Sequence, residues 1–129
     1  AAIHAGWRGT VKRIVEKTLD KMAALYGTKG EDVQAYIGPG ISLNAFEVGD
    51  EVYEAFEAAG FDMACIARRD EKWHLDLWEA NRIQLLSKGV KKENVEVTGI
   101  CTYQNYTDFF SARRLGIRSG RILSGIMRM

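Results

Sequence analysis

Three stretches of the chain hold chemically useful side chains at spacings a binding site can use. In "HAGWRGT", His4 is followed closely by Gly6, Trp7, Arg8 and Gly9. Imidazole is a common catalytic base and metal ligand, glycines permit close backbone approach, and Arg8 can fork onto phosphate or carboxylate. A helix starting just beyond adds amide donors for an anion. The plain alternative is a satisfied core histidine beside a packing tryptophan, and the motif alone leaves both readings standing. In "CTYQNYTDFFSARRLGIRSGR", Arg113, Arg114, Arg118 and Arg121 cluster beside Phe109, Phe110 and Ser111. Guanidinium forks suit a phosphate, and a neighbouring aromatic ring can stack on a planar base. A solvated basic edge above two core phenylalanines fits the same residues. The third stretch, "GPGISLNAFEVGDEV", presents backbone amides and Glu47, and reads more simply as a tight connection with a solvated glutamate. Cys101 reads as a small buried thiol, since nothing in sequence marks its pKa as lowered.

These residues must be held by a scaffold of ordinary composition. The 129 residues are 47% hydrophobic and 27% charged, with a net charge of +1, which is enough for one core. That balance argues against a polybasic coat for nucleic acid or an anionic membrane. No apolar run reaches the roughly 20 residues a bilayer span needs, and no signal-peptide pattern is visible, so the default expectation is a cytoplasmic location. Cys65 and Cys101 have no CxxC spacing and read as two reduced thiols. The start at "AAI", strand-like and without an initiator methionine, reads as a chain cut inside its domain.

Hydrophobic spacing supplies the elements. Val11, Ile14, Val15, Thr18, Leu19, Met22 and Leu25 recur at helical intervals, with Gly27 available as a left-handed stop. "VQAYIG" reads as a strand broken by "GPG" at 38–40. Asp50 is placed to cap a helix over "EVYEAFEAA" that ends at Gly60, and "MACIA" reads as extended. Asp76 and Glu79 have the spacing of a capping arrangement, so a helix is expected from about Asp76, with Leu77, Ala80, Ile83 and Leu85 or Leu86 on its apolar face. "VEVTGI" reads as a strand, "CTYQNYTDFFSARR" as irregular, and "RILSGIM" as a final strand. Helices alternating with strands predict an α/β fold with a mixed or parallel sheet under covering helices.

Four motifs in one order, "HAGWRGT", "IGPGIS…FEVGDEV", "HLDLWEANRIQLL" and "GICTYQN…FFSARR…GR", resemble the laccase-domain family, also called the polyphenol oxidase or peptidoglycan editing factor family. The resemblance covers essentially all of residues 1–129. It implies a single α/β domain longer than this chain, with layered mixed sheets and helices, of which these residues are the C-terminal portion. It also implies one zinc ion held by two histidines and a cysteine, with His4 the last of the three. The other two ligands lie upstream of the HAGWRG motif, in a segment that would accompany this chain. His74 and Cys101 match positions outside that triad. The implied chemistry is phosphorolysis of adenosine, inosine or methylthioadenosine, together with adenosine deamination. On that reading the partners are a purine nucleoside and phosphate, His4 and Arg8 are catalytic, and Phe109, Phe110, Ser111, Arg113 and Arg114 bind substrate and phosphate. Copper-dependent phenol oxidation ranks second, because two histidines cannot build a multicopper centre. Peptidoglycan-precursor editing and a non-catalytic interaction module are further alternatives, and the isolated segment is expected to be inactive. The family often has an aromatic residue or histidine where Ala112 stands, and a tyrosine where Phe46 stands.

Overall fold

A computed structural model describes residues 1–129. Its elements are α1 (Trp7–Val11), α2 (Ile14–Tyr26), β1 (Ala35–Ile37), β2 (Glu47–Val48), α3 (Asp50–Ala58), α4 (Met63–Ile66), β3 (Ala67–Arg69), β4 (Trp73–Leu75), α5 (Leu77–Ser87), β5 (Val95–Val97) and α6 (Ala112–Leu115). The expected α/β class holds, with parallel and antiparallel pairing kept in separate small sheets. β1 and β5 run parallel, Ala35 opposite Val95 and Ile37 opposite Val97. The ladder lapses at Gly38 and Pro39, where proline has no N–H to give, and resumes as one bridge between Gly40 and Cys101. Two bonds hold that bridge, Gly40 N–H to the Ile100 carbonyl at 3.1 Å and Thr102 N–H to the Gly40 carbonyl at 2.9 Å. In the second sheet β4 is central and antiparallel to both neighbours, with His74 opposite Glu47 of β2 and Arg68 of β3.

Apolar burial is divided between two clusters. The larger gathers Phe46, Val48, Phe56, Phe61, Ile66, Leu75, Leu77 and Ala80 between α3, α5 and the antiparallel sheet. The smaller joins Val15, Leu85 and Val90, with Ala35, Ile37 and Val95 of the parallel pair packed against it. Helix α5 serves both, with Leu77 and Ala80 in one cluster and Leu85 in the other. Its cap is as expected at Asp76, whose Oδ1 accepts the Glu79 N–H at 3.0 Å. The reciprocal half of the capping arrangement is not made. Glu79 instead pairs with Arg82 at 2.7 Å, and the Asp76 N–H donates to the Ile66 carbonyl.

Several expectations change. Residues 1–6 form no strand. The first helix starts at Trp7 and is broken at Arg13, which has φ of 62°. The break is held from outside, because Arg13 Nη2 donates to the Ala59 carbonyl at 2.9 Å and the guanidinium lies 3.8 Å from the Phe61 ring centroid. Gly27 ends α2 in the left-handed region as expected, at φ 63°. Gly49, not Asp50, is the N-cap of α3. "MACIA" is mostly helical, because the Asp62 carboxylate accepts the Ala64 N–H and starts the turn Met63–Ile66. The extended segment begins only at Ala67. "RILSGIM" is not a strand either. Its residues join no sheet and are exposed, and β-propensity without a neighbouring strand to pack on does not make a sheet. No helix is long and apolar enough to cross a membrane.

Candidate functional site

The glycines around His4 are explained by what sits against them. A Cβ on Gly6 would lie 3.1 Å from His4 Nε2, and one on Gly9 would lie 3.5 Å from the His4 carbonyl oxygen. Gly6 therefore leaves space for the imidazole, and Gly9 lets the α1 backbone approach the His4 peptide. Within these 129 residues His4 is exposed rather than buried in the core. Arg8 is exposed as well, its guanidinium 4.7 Å from the Trp7 ring centroid, while Trp7 packs against the larger core. The helix that follows is only five residues long. The expected anion site at its N-terminus therefore loses most of its dipole support, and the exposed Arg8 guanidinium is left as the local cation.

The arginine-rich stretch folds back over β2. Arg113 Nη1 donates to the Glu47 carbonyl at 2.9 Å, and its guanidinium lies 5.3 Å from the centroid of buried Phe46. Arg114 lies 5.0 Å from the Tyr103 centroid and 4.4 Å from that of Tyr106. Ser111 is buried and caps α6, its hydroxyl accepting the Arg114 N–H at 3.3 Å. Ser111 thus anchors the start of α6, and its hydroxyl proton stays uncommitted. Phe110 is 55% exposed, with Gly120 against one face of its ring, and Phe109 is half-buried. Arg121 folds onto its own segment, donating to the Ser119 carbonyl at 2.6 Å. Glu47 is solvent-facing as expected, paired with Lys72 at 3.3 Å.

The small buried thiol expected at Cys101 is found, in surroundings that sequence spacing does not show. Cys101 is 3% exposed, and its Sγ accepts the Ser42 hydroxyl at 3.2 Å and the Ser42 N–H at 3.4 Å. Burial pushes the thiol pKa up, but the Ser42 hydroxyl and the amides of Gln104, Ser42 and Tyr103 outweigh it and hold the thiol below its ordinary value. The other thiol, Cys65, is exposed and free. Its pKa is raised by its hydrogen bond to the Asp62 carboxylate and by the charge there.

His74 is committed within the fold, with Nδ1 3.0 Å from the Leu43 carbonyl and Nε2 3.7 Å from Asp70. No three His, Cys, Asp or Glu side chains gather where they could hold a metal ion. His4 can supply one imidazole ligand, and a three-ligand zinc centre is not made by these residues alone. No hydrogen bond or ion pair joins His4 or Arg8 to Phe109, Phe110, Ser111, Arg113 or Arg114. The chain thus forms two groups: His4 with Arg8 at the start of α1, and the arginine–aromatic stretch across β2.

The model of the family described as multi-copper polyphenol oxidoreductase laccase matches residues 1–129. A purine nucleoside phosphorylase of Bacteroides thetaiotaomicron is 64% identical over 130 residues, which cover 98% of this chain and 48% of that protein. Adenosine deaminase RL5 of an unknown prokaryotic organism is 46% identical over 131 residues, covering 99% of this chain and 50% of that protein. Among solved structures, YlmD from Geobacillus stearothermophilus superposes with a TM-score of 0.78 at 33% identity, over 86% of this chain and 42% of the other. The chain spans about half the length of the curated relatives it matches. A match that runs from the His4 motif through the arginine-rich stretch, on a shared fold, places this chain in the multi-copper polyphenol oxidoreductase laccase family.

Proposed function

We propose that the chain carries part of the active site of a purine nucleoside phosphorylase that also deaminates adenosine. The observation that carries this reading is the 64% identity to the Bacteroides thetaiotaomicron phosphorylase, which extends over 98% of this chain. The 46% identity to adenosine deaminase RL5 supports the second activity. In this reading the site is completed by residues outside these 129, and zinc is the metal, with His4 as one ligand. Zinc with an open coordination position makes bound water acidic enough to act as a nucleophile near neutral pH.

The chain's own residues have separable tasks. Arg8 uses none of its guanidinium donors on other side chains and is free to grip phosphate. Arg113 spends one donor on the Glu47 carbonyl, which fixes its plane and leaves further N–H groups for an anion. Fixed guanidinium groups near the phosphate and the departing base stabilise charge that develops in the transition state. Phe110, largely exposed, offers the purine the ring face turned away from Gly120. Arg114, between two tyrosine rings, adds positive charge to the same edge.

Incubating the protein with adenosine, inosine and methylthioadenosine, with and without phosphate, tests the reading. Phosphate-dependent release of free base, with zinc bound at stoichiometric level, is the expected result. Phenol oxidation on copper loading in place of base release would turn the assignment to the oxidase that the family's description names. An Arg113→Ala protein with unchanged phosphate KM and turnover would remove Arg113 from the phosphate site.

A further inference from the structure

Helix α5 presents two amide side chains to the interior where its apolar periodicity calls for hydrophobes. Gln84 is 0% exposed and Asn81 6% exposed, and both reach Thr10, which is itself 0% exposed. Asn81 Nδ2 donates to Thr10 Oγ1 at 3.1 Å and to the Leu77 carbonyl at 2.8 Å. Gln84 Nε2 donates to the Thr10 carbonyl at 3.2 Å, and Gln84 Oε1 accepts the Val15 N–H at 3.2 Å. Thr10 passes the constraint on: its hydroxyl donates to the Ala5 carbonyl at 3.2 Å, and its N–H donates to the Gly6 carbonyl at 2.8 Å. Both peptide groups that follow His4–Ala5 are therefore tied, through one threonine, to a helix more than 70 residues further along the chain.

The order of these bonds has a direction. A threonine hydroxyl has one proton, and here it is spent on Ala5, so the oxygen is left to accept from Asn81. Buried polar groups lose considerable free energy when a partner moves, so the network tolerates few placements of residues 5 and 6. The His4 ring rests against the bare Cα of Gly6, 3.1 Å from where a Cβ would stand. Fixing Gly6 therefore limits where the imidazole can lie. The network leaves the exposed His4 ring itself without a bond to spend, so its donor atoms stay available.

We propose that Asn81 and Gln84 are positioning residues for His4, acting through Thr10 to set the direction of its imidazole. The inference rests on the reading of His4 as a functional ligand, but its test does not. The chain has two histidines, and His74, held by Leu43 on the antiparallel sheet, is an internal control for the fold. Ring-proton NMR resolves both. In Thr10→Val and Asn81→Leu the His4 ring resonances are expected to move and the His4–Gly6 cross-peak to be lost, with His74 unchanged, while Thr10→Ser, which keeps the hydroxyl, restores the wild-type spectrum. Asn81→Ser supplies the second variant if an apolar replacement does not fold. In phosphorolysis the same variants are expected to lower kcat by about tenfold, the usual scale for groups that orient a ligand, with nucleoside KM unchanged. An unmoved His4 signal in a folded Thr10→Val protein, or His74 shifting in step with His4, overturns the proposal. Absence of phosphorolysis in the wild type removes the functional reading instead, and the comparison of the two histidines still decides this one.

Discussion

At the scale of single residues, the functional groups are governed by neighbours that sequence spacing hides. The glycines of "HAGWRGT" are legible as permissive positions, but that one of them serves the imidazole of His4 follows only from the 3.1 Å approach to its Nε2. If His4 is a zinc ligand as proposed, Gly6→Ala is expected to displace its ring and weaken zinc binding by about tenfold, measured by metal titration. Gly9→Ala, whose added Cβ meets Ile14 Cγ2 and the His4 carbonyl at 3.4 and 3.5 Å, is expected to cost much less. Equal losses in the two variants would contradict this account. Burial of Cys101 is legible in sequence, but its lowered pKa is not, because Ser42, which supplies two of its hydrogen bonds, is 59 residues away in sequence. Its lowered pKa has a sign in stability. Between the lowered folded value and the ordinary thiol value the unfolded chain holds more protons, so stability rises with pH across that window. The contribution is complete above the unfolded value and is lost as pH falls through the folded one. Cys65, shifted upward, opposes it, so the measurement is best made in a Cys65→Ser background. There the unfolding midpoint is expected to climb with pH, and the added Cys101→Ser change is expected to flatten the climb; identical slopes would rule out a thiolate in the fold.

At the scale of elements, the start of α5 is legible from local contacts alone. Asp76 and Glu79 mark the start of α5 because capping is a contact within three residues, and Asp76→Ala is expected to lower stability by about 1 kcal/mol, measured by urea unfolding. Elements decided from a distance were misread. The break between α1 and α2 leaves no mark in a periodic pattern that runs through it, since Arg13 is held in its left-handed conformation by Ala59 and Phe61. Competing effects can be weighed there. Replacing Arg13 by glycine relieves roughly 1 kcal/mol of backbone strain. It also removes a charged hydrogen bond, partly exposed and so near the low end of about 1.5–3 kcal/mol, and a cation–π contact of about 0.5–1 kcal/mol. Arg13→Gly should therefore be destabilised by about 1 kcal/mol despite the easier backbone, and a gain in urea midpoint would show that the strain outweighs the contacts. "MACIA" and "RILSGIM" both have the apolar composition of a strand, and each departs for its own reason: the first follows a capping aspartate, a local signal that composition overrides in sequence reading, and the second has no strand beside it.

At the scale of the whole molecule, the α/β alternation foretold the class and the covering helices, but not that parallel and antiparallel pairs would sit in separate sheets over separate cores. Sheet membership depends on which strands meet, and β2, at two residues, is too short to announce itself. The site was similarly half-legible: the residues of both groups were named from sequence, while their separation within this chain, and the polar network beneath His4, required coordinates. The two cores raise the question of whether they melt together. Helix α5 crosses from one to the other, and Gln84 adds bonds to both α1 and α2. The smaller core cannot open without freeing a helix whose first turns are packed in the larger. Buried Leu85, 8% exposed, is the place to press. Leu85→Ala should cost about 2–5 kcal/mol by leaving a cavity, and coupling through α5 predicts where that loss is felt. Trp7 and Trp73 pack against the larger core, so in a Trp78→Phe background, which removes the tryptophan of α5 itself, fluorescence reports on a region the substitution does not touch, while far-UV circular dichroism also reports on α2. One cooperative unit requires the two signals to coincide in that background and to shift together when Leu85→Ala is added. A circular-dichroism transition that moves to lower urea while fluorescence stays in place would show the small core melting alone and would refute the coupling through α5.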